Sequence, residues 1–272
     1  MNNLLVSNQE LNLITDKVTD SIKKAGNMIR RGLAVHAYTY KHNQSDLVTE
    51  MDRNVEKYLV DALRQITPNY LFLTEETNPH QALEQEKMTW VMDPIDGTMN
   101  FVHGFERIAI SVALCNGDTP IAAWVYDIHQ ESMYTAIKDK GAYCNGKLLS
   151  VSNEEKIESS LIAFGFSAQQ WVGKNEVPLL MKGFAGKARG IRITGSSCLD
   201  LVDVAAGRID GFWHFGLQPW DIAAGILLIE EAGGTCTTLH DEPILSSTCV
   251  LASNGKINAS MKRILSSINR FI

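Results

Sequence analysis

The segment Trp90-Val-Met-Asp93-Pro94-Ile95-Asp96-Gly97-Thr98-Met99-Asn100-Phe101 constrains this chain more than any other. An apolar run, read as a short buried strand over 90–92, stops on a carboxylate. Pro94 stiffens the turn that follows, and a second carboxylate comes three residues after the first. Gly97 lets backbone approach a ligand closely, and Thr98 offers a hydroxyl. Two carboxylates held across a tight turn can point at one spot, where without a cation they repel until one takes up a proton. Read alone, the segment is either a ligand-holding turn or a solvated acidic one.

Other acids share the pattern. Glu75-Glu76 follow the apolar run Leu71–Thr74. Asp52 opens a helical segment carrying Val55, Tyr58, Leu59, Ala62, Leu63 and Ile66, at the position of its N-cap. Asp221 follows Pro219-Trp220 and opens the helix 221–232, which Gly233-Gly234 close. Glu230-Glu231 read as a structural pair late in that helix. Hard oxygen donors without His or Cys suit Mg²⁺ or Mn²⁺ and not Zn²⁺. Several acids converging at strand ends are what a two-metal phosphoryl-transfer site requires.

The surrounding pattern is a layered α/β chain. Leu11, Ile14, Val18, Ile22, Ala25 and Ile29 recur at helical spacing and predict one amphipathic helix over 8–31. Residues 33–46 read as polar and irregular. Strands are expected at 71–74, 108–115, 121–126 and 132–137. Beyond about residue 150 the pattern alternates, with strands at 161–166, 190–194, 209–215 and 248–253. Helices fall between and after them, at 175–184, 196–206, 221–232 and 256–270. The whole of 1–272 is expected to be a single domain with a soft internal boundary near 145–160.

Composition narrows the function. The chain of 272 residues has 25 Lys and Arg against 31 Asp and Glu, a net charge of −6 that disfavours nucleic acid as a partner. Five scattered cysteines form no C-x-x-C pair and read as reduced thiols. No signal peptide and no 18-residue apolar stretch are present, so a cytoplasmic location without a membrane is expected. Gly141-Ala-Tyr-Cys-Asn-Gly146-Lys147-Leu148 imitates a P-loop, but Leu148 has no hydroxyl for Mg²⁺ and no helix pattern follows. A hairpin turn is the better reading.

Asp93-Pro-Ile-Asp-Gly-Thr98 resembles the first signature of the inositol monophosphatase family, and Trp220-Asp-Ile-Ala-Ala-Gly225 resembles the second. Thr74-Glu-Glu-Thr77, Asp46–Asp52, Gly195–Leu201 and Ala206–Phe212 resemble its other segments, so the likeness runs from about residue 8 to the C-terminus, nearest the bacterial branch. It implies the α-β-α-β-α sandwich shared with fructose-1,6-bisphosphatase-like proteins, and hydrolysis of an inositol, sugar or polyol phosphate by a metal-activated water attacking in line.

By the same resemblance, Glu75, Asp93 and the Ile95 carbonyl hold one Mg²⁺. Asp93, Asp96 and Asp221 hold a second, and a weaker third shares Glu75; Mn²⁺ is an alternative ion. Thr98, Asp52 and Glu75 are the implied catalytic residues. Gly97, Thr98, Ser196, His214 and Asp221 are the implied substrate contacts, and Trp220 packs beneath the site. Lys41 falls at the position of a loop lysine, although it also reads as a plain solvated one. Lithium sensitivity and a homodimer are implied as well.

His214 departs from the resemblance. It stands seven residues before Asp221, where the family's inositol phosphatases carry a Glu. Weaker preference for inositol phosphate is expected, with tolerance of more anionic substrates growing below about pH 6.5, the unperturbed His value. A sugar bisphosphatase or 3'-phosphonucleotide phosphatase would need a basic pocket, which Lys187, Arg189 and Arg192 could supply. A regulatory protein that keeps the fold but binds a partner is the remaining alternative.

Overall fold

The computed structural model describes residues 8–32, 38–40, 47–166, 181–247 and 249–269. Helix α1 (Asn8–Gly32) buries Leu11, Ile14, Val18, Ile22, Ala25 and Ile29, and α2 (Glu50–Ile66) buries Val55, Leu59 and Leu63. Their apolar stripes pack on one face of a seven-stranded sheet. Its strands are β3 (Leu71–Thr74), β4 (Met88–Asp96), β5 (Ala109–Asn116), β6 (Thr119–Asp127), β7 (Ser132–Ile137), β8 (Ala142–Cys144) and β9 (Lys147–Leu148). They lie in sequence order, and only β3 and β4 run parallel.

Strand β4 is longer than the run 90–92 suggests. Its pairing with β5 slips between Asp93 and Asp96, which oppose Ser111 and Ala109. The extra residue falls at Pro94-Ile95, where proline has no N–H for the ladder. The strand therefore carries both carboxylates through a bulge. On the same strand, Trp90 and Met92 face the α1–α2 layer while Val91 faces the opposite side.

The second sheet has the order β11-β10-β12-β14-β13. Here β10 is Leu161–Phe166, β11 Gly190–Arg192, β12 Gly211–Phe215, β13 Thr235–Thr237 and β14 Cys249–Ser253. Strands β11, β10 and β12 are parallel; β14 and β13 pair antiparallel. Helices α4 (Ser197–Ala205) and α5 (Pro219–Glu231) fill the space between the sheets. That core draws Val91, Ala113 and Val125 from one sheet and Ala163, Phe212 and Val250 from the other. Helix α5 is apolar nearly all round because both sides meet a sheet. Gly225 lets α4 approach, since a Cβ there would lie 2.5 Å from a methyl carbon of Leu201. Helix α6 (Asn258–Asn269) covers the outer face beside Phe164, Trp213 and Leu251. The layers run helix, sheet, helix, sheet, helix, as expected.

Three expectations need correction. Residues 33–46 are not wholly irregular, because β1 (Tyr38–Tyr40) pairs antiparallel with β2 (Leu47–Thr49). Strand β13 went unread. Asp52 is not the N-cap of α2: Thr49 is, and Asp52 sits at the third helical position. Of the helix expected at 175–184, only 181–184 falls within the described residues, and it is helical. Between β8 and β9, Asn145 (φ 47°) and Gly146 (φ 79°) form the tight hairpin turn that excludes a P-loop.

Candidate active site

The end of β4 supplies Asp93 and Asp96, the end of β3 leads into Glu75, and the first turn of α5 supplies Asp221. Local backbone holds Asp93 and Asp221, and the start of α4 holds Asp96. Asp93 Oδ1 accepts the Ile95 N–H at 2.9 Å. Asp96 accepts the Ser196 hydroxyl, the Ser197 hydroxyl at 3.0 Å and the Cys198 N–H at 3.1 Å, all from the start of α4. Asp221 Oδ2 accepts the Gln218 N–H at 2.7 Å, closing a capping box.

Asp93 and Asp96 are buried, and their oxygens lie within 4.8 Å of one another and of the Cys198 sulfur. Burial pushes Asp93 well above the usual carboxylate range, and the charges of Glu75, Asp96 and Asp221 add to the effect. Burial also raises Asp96, against the lowering effect of Ser196 and Ser197. Crowded acids of this kind in a dry site fit a divalent cation that takes oxygen donors. Cys198 sits beside them, unread from the sequence. Burial and the neighbouring carboxylates push its thiol well up, and it donates to the Asp221 carbonyl at 3.2 Å.

Helix α2 meets the site at Thr98. The Thr98 hydroxyl lies 3.3 Å from Asp52 Oδ1 and 3.1 Å from the Ile95 carbonyl. The other Asp52 oxygen accepts the Thr49 N–H at 2.7 Å and the Thr49 hydroxyl. Gly97, at φ 87°, starts the six-residue helix α3 (Thr98–His103); a Cβ there would come within 2.7 Å of the Arg107 carbonyl. The sequence reading also missed Glu56, one turn after Asp52 and fully buried. Its signal was the four-residue spacing from Asp52 on the same helix face.

A cavity of about 170 Å³ opens beside these groups, lined among others by Gly165, Gly195, Ser196, Ser197, Asp200 and His214. The Ser196 hydroxyl is engaged by Asp96 and also accepts the Leu199 N–H at 3.3 Å, capping α4. His214 lies over Gly165 across the β10–β12 pair, where a Cβ would meet the imidazole at 2.4 Å. Burial drops its pKa to about 3, so it is neutral throughout the physiological range and cannot charge near pH 6.5 as expected. Asp200 accepts the Thr194 hydroxyl at 2.7 Å and pairs with Arg107 at 3.1 Å; burial raises its pKa to about 7. Lys187, Arg189 and Arg192 are exposed, a solvated face and not a basic pocket. Trp220 is buried, its carbonyl accepting the Ser111 hydroxyl at 3.2 Å. Lys41 lies outside the described residues.

Residues 11–270 match the model of the inositol monophosphatase family. The chain belongs to this family. It is 39% identical over 223 residues to a "Putative Nus factor SuhB" of Neisseria meningitidis, covering 82% of this chain and 85% of that protein. It is 38% identical over 226 residues to an inositol-1-monophosphatase of Bacillus subtilis, covering 81% and 84%. Among solved structures, the extragenic suppressor protein suhB of Bartonella henselae superposes with a TM-score of 0.85 at 31% identity, covering 93% of this chain and 98% of that one. No helix among the described residues is long and apolar enough to cross a membrane.

Proposed function

We propose that this protein is a Mg²⁺-dependent phosphatase that hydrolyses a small phosphate monoester of inositol or a related sugar or polyol. The observation that carries the reading is the buried cluster of Asp93 and Asp96 beside the Thr98–Asp52 pair. Glu75, Asp93 and the Ile95 carbonyl would hold one ion. Asp93, Asp96 and Asp221 would hold a second, and Glu75 with waters a weaker third; Mn²⁺ can substitute. Such ions, when bound, supply Lewis acidity and a lowered water pKa.

The chain's own residues then do the positioning. Thr98 donates to Asp52 and keeps a lone pair free to accept a hydrogen bond from the attacking water, which polarises and orients it. Gly97 and Thr98 face the phosphate. His214 and Ser196 border the cavity from which the alcohol leaves, with Asp221 on the leaving side. A neutral His214 offers one donor and one acceptor, which suits an uncharged hydroxyl. By the resemblance alone, Lys41 is proposed to assist at the third ion. The proposed assembly is a homodimer in the cytoplasm, with lithium as an inhibitor.

A second reading, a Nus-factor-like role, is favoured by the likeness to SuhB proteins. Phosphate release from inositol, sugar and nucleotide monophosphates with and without Mg²⁺ separates the two. Turnover of any of them supports the enzyme; none with every substrate, beside intact folding, supports the binding role.

A further inference from the structure

Glu56 is a fully buried carboxylate, and no lysine or arginine pairs with it among the described residues. A buried charge is tolerated when hydrogen bonds satisfy its oxygens. Here every such bond comes from one short segment. Oε1 accepts the Thr74 hydroxyl at 3.0 Å, the Thr77 N–H at 2.8 Å and the Thr77 hydroxyl at 2.5 Å. Oε2 accepts the Glu76 N–H at 2.8 Å. The donors lie immediately before and after Glu75. The same helix, one turn earlier, holds Asp52 against Thr98.

We propose that Glu56 is a positioning residue that sets metal affinity at Glu75, by tying both flanks of the turn 74–77 to the helix that carries Asp52. The proposal rests on the reading above that Glu75 is a metal ligand. A turn anchored on one side only would let the Glu75 carboxylate swing between solvent and Asp93. Anchored on both sides, its backbone has a fixed origin relative to α2. Partners that orient a metal ligand typically change metal affinity by about 10–100-fold when altered.

The chemistry of the four bonds suggests how to disturb the clamp without emptying the core. Glu56→Gln keeps the shape. Its carbonyl oxygen can still serve the Thr74 and Thr77 donors, but its amide then faces the Glu76 N–H, donor against donor. The disturbance falls next to Glu75.

Mn²⁺ binding to the substrate-free full chain, read by electron paramagnetic resonance beside thermal unfolding, tests the proposal. Glu56→Gln should weaken Mn²⁺ binding about 10-fold. Added to Glu75→Gln, it should weaken binding no further, because both changes act on one ligand. Equal Mn²⁺ affinity in Glu56→Gln and wild type, with only a lower Tm, would overturn the proposal. So would an equal loss in both backgrounds, which would mark a general charge effect. Should Glu56→Gln fail to fold, Thr77→Val removes one hydroxyl donor and leaves both amide bonds. It should weaken binding measurably, and unchanged affinity overturns the proposal. Wild-type protein that binds no Mn²⁺ contradicts the phosphatase reading itself, and the proposal with it.

Discussion

The Thr98 hydroxyl reaches Asp52 Oδ1 at 3.3 Å, while the other oxygen of Asp52 is locked into the first turn of α2 by the Thr49 N–H at 2.7 Å. A helix cap thus anchors the partner of the hydroxyl proposed to orient the attacking water. Asp52 cannot rotate away without breaking the capping box, and the Thr98 hydroxyl has both Asp52 Oδ1 and, at 3.1 Å, the Ile95 carbonyl within reach.

Thr98→Ala should therefore lower kcat far more than it changes KM. Proton-transfer assistance is typically worth about 10²–10⁴-fold. Steady-state kinetics at saturating Mg²⁺ checks this. A change confined to KM would reassign Thr98 to substrate binding.

Asp200 sets a pH dependence of stability. Its folded pKa, raised by burial to about 7, exceeds the unfolded carboxylate value of about 3.9. Between those values the folded state holds a proton that the unfolded state has released. This group's contribution to stability therefore falls as pH rises from about 4 to about 7. Asp200→Asn retains an acceptor for Thr194 and removes the titration. Denaturant unfolding from pH 5 to 8 should show a flatter profile in the variant, with its largest advantage over wild type at pH 8.

His214 should add no pH dependence to substrate choice. With its pKa dropped to about 3 by burial, it stays neutral from pH 5 to 8. The ratio of kcat/KM for inositol monophosphate to that for a bisphosphorylated sugar should follow the same pH profile in wild type and His214→Gln, since the substrates' own phosphates titrate equally in both. His214→Glu should move the ratio toward the monophosphate, because a carboxylate repels the extra phosphate. A step near pH 6.5 in wild type that His214→Gln abolishes would mean that the imidazole titrates after all.

Gly225→Val tests the helix pair between the sheets. The new side chain would run into Leu201, whose nearest atom lies 2.5 Å from the Cβ position. Overpacking of this kind costs about 1–3 kcal/mol. Urea unfolding should show that loss, and Leu201→Ala in the same chain should recover part of it.

Much of this architecture could be read along the chain because its main elements carry strong apolar signals. Helix α1 shows plain helical periodicity, while β5 and β6, buried on both faces, read as continuous apolar runs. The acids at strand and helix ends stood out because a carboxylate ending a buried run has no packing reason to be there. Other features had no such signal. Strand β13 is three residues long and follows Gly233-Gly234, so it has no alternation to detect. The burial of His214 was hidden because β12 is covered on both faces, which erases the period of two. Read from sequence, α2 starts at Asp52, three residues after its N-cap Thr49, because either residue type can fill that position. Glu56 had only its four-residue spacing from Asp52 to mark it, because an acid on a helix reads as solvated until its partners are known.

The most direct test is phosphate release from inositol monophosphate by wild-type protein and Asp93→Asn, each with Mg²⁺ and with chelator. Turnover is expected only for wild type with Mg²⁺, restored by adding Mg²⁺ back after chelation. Turnover by wild type in chelator, or by Asp93→Asn at the wild-type rate, would contradict that expectation.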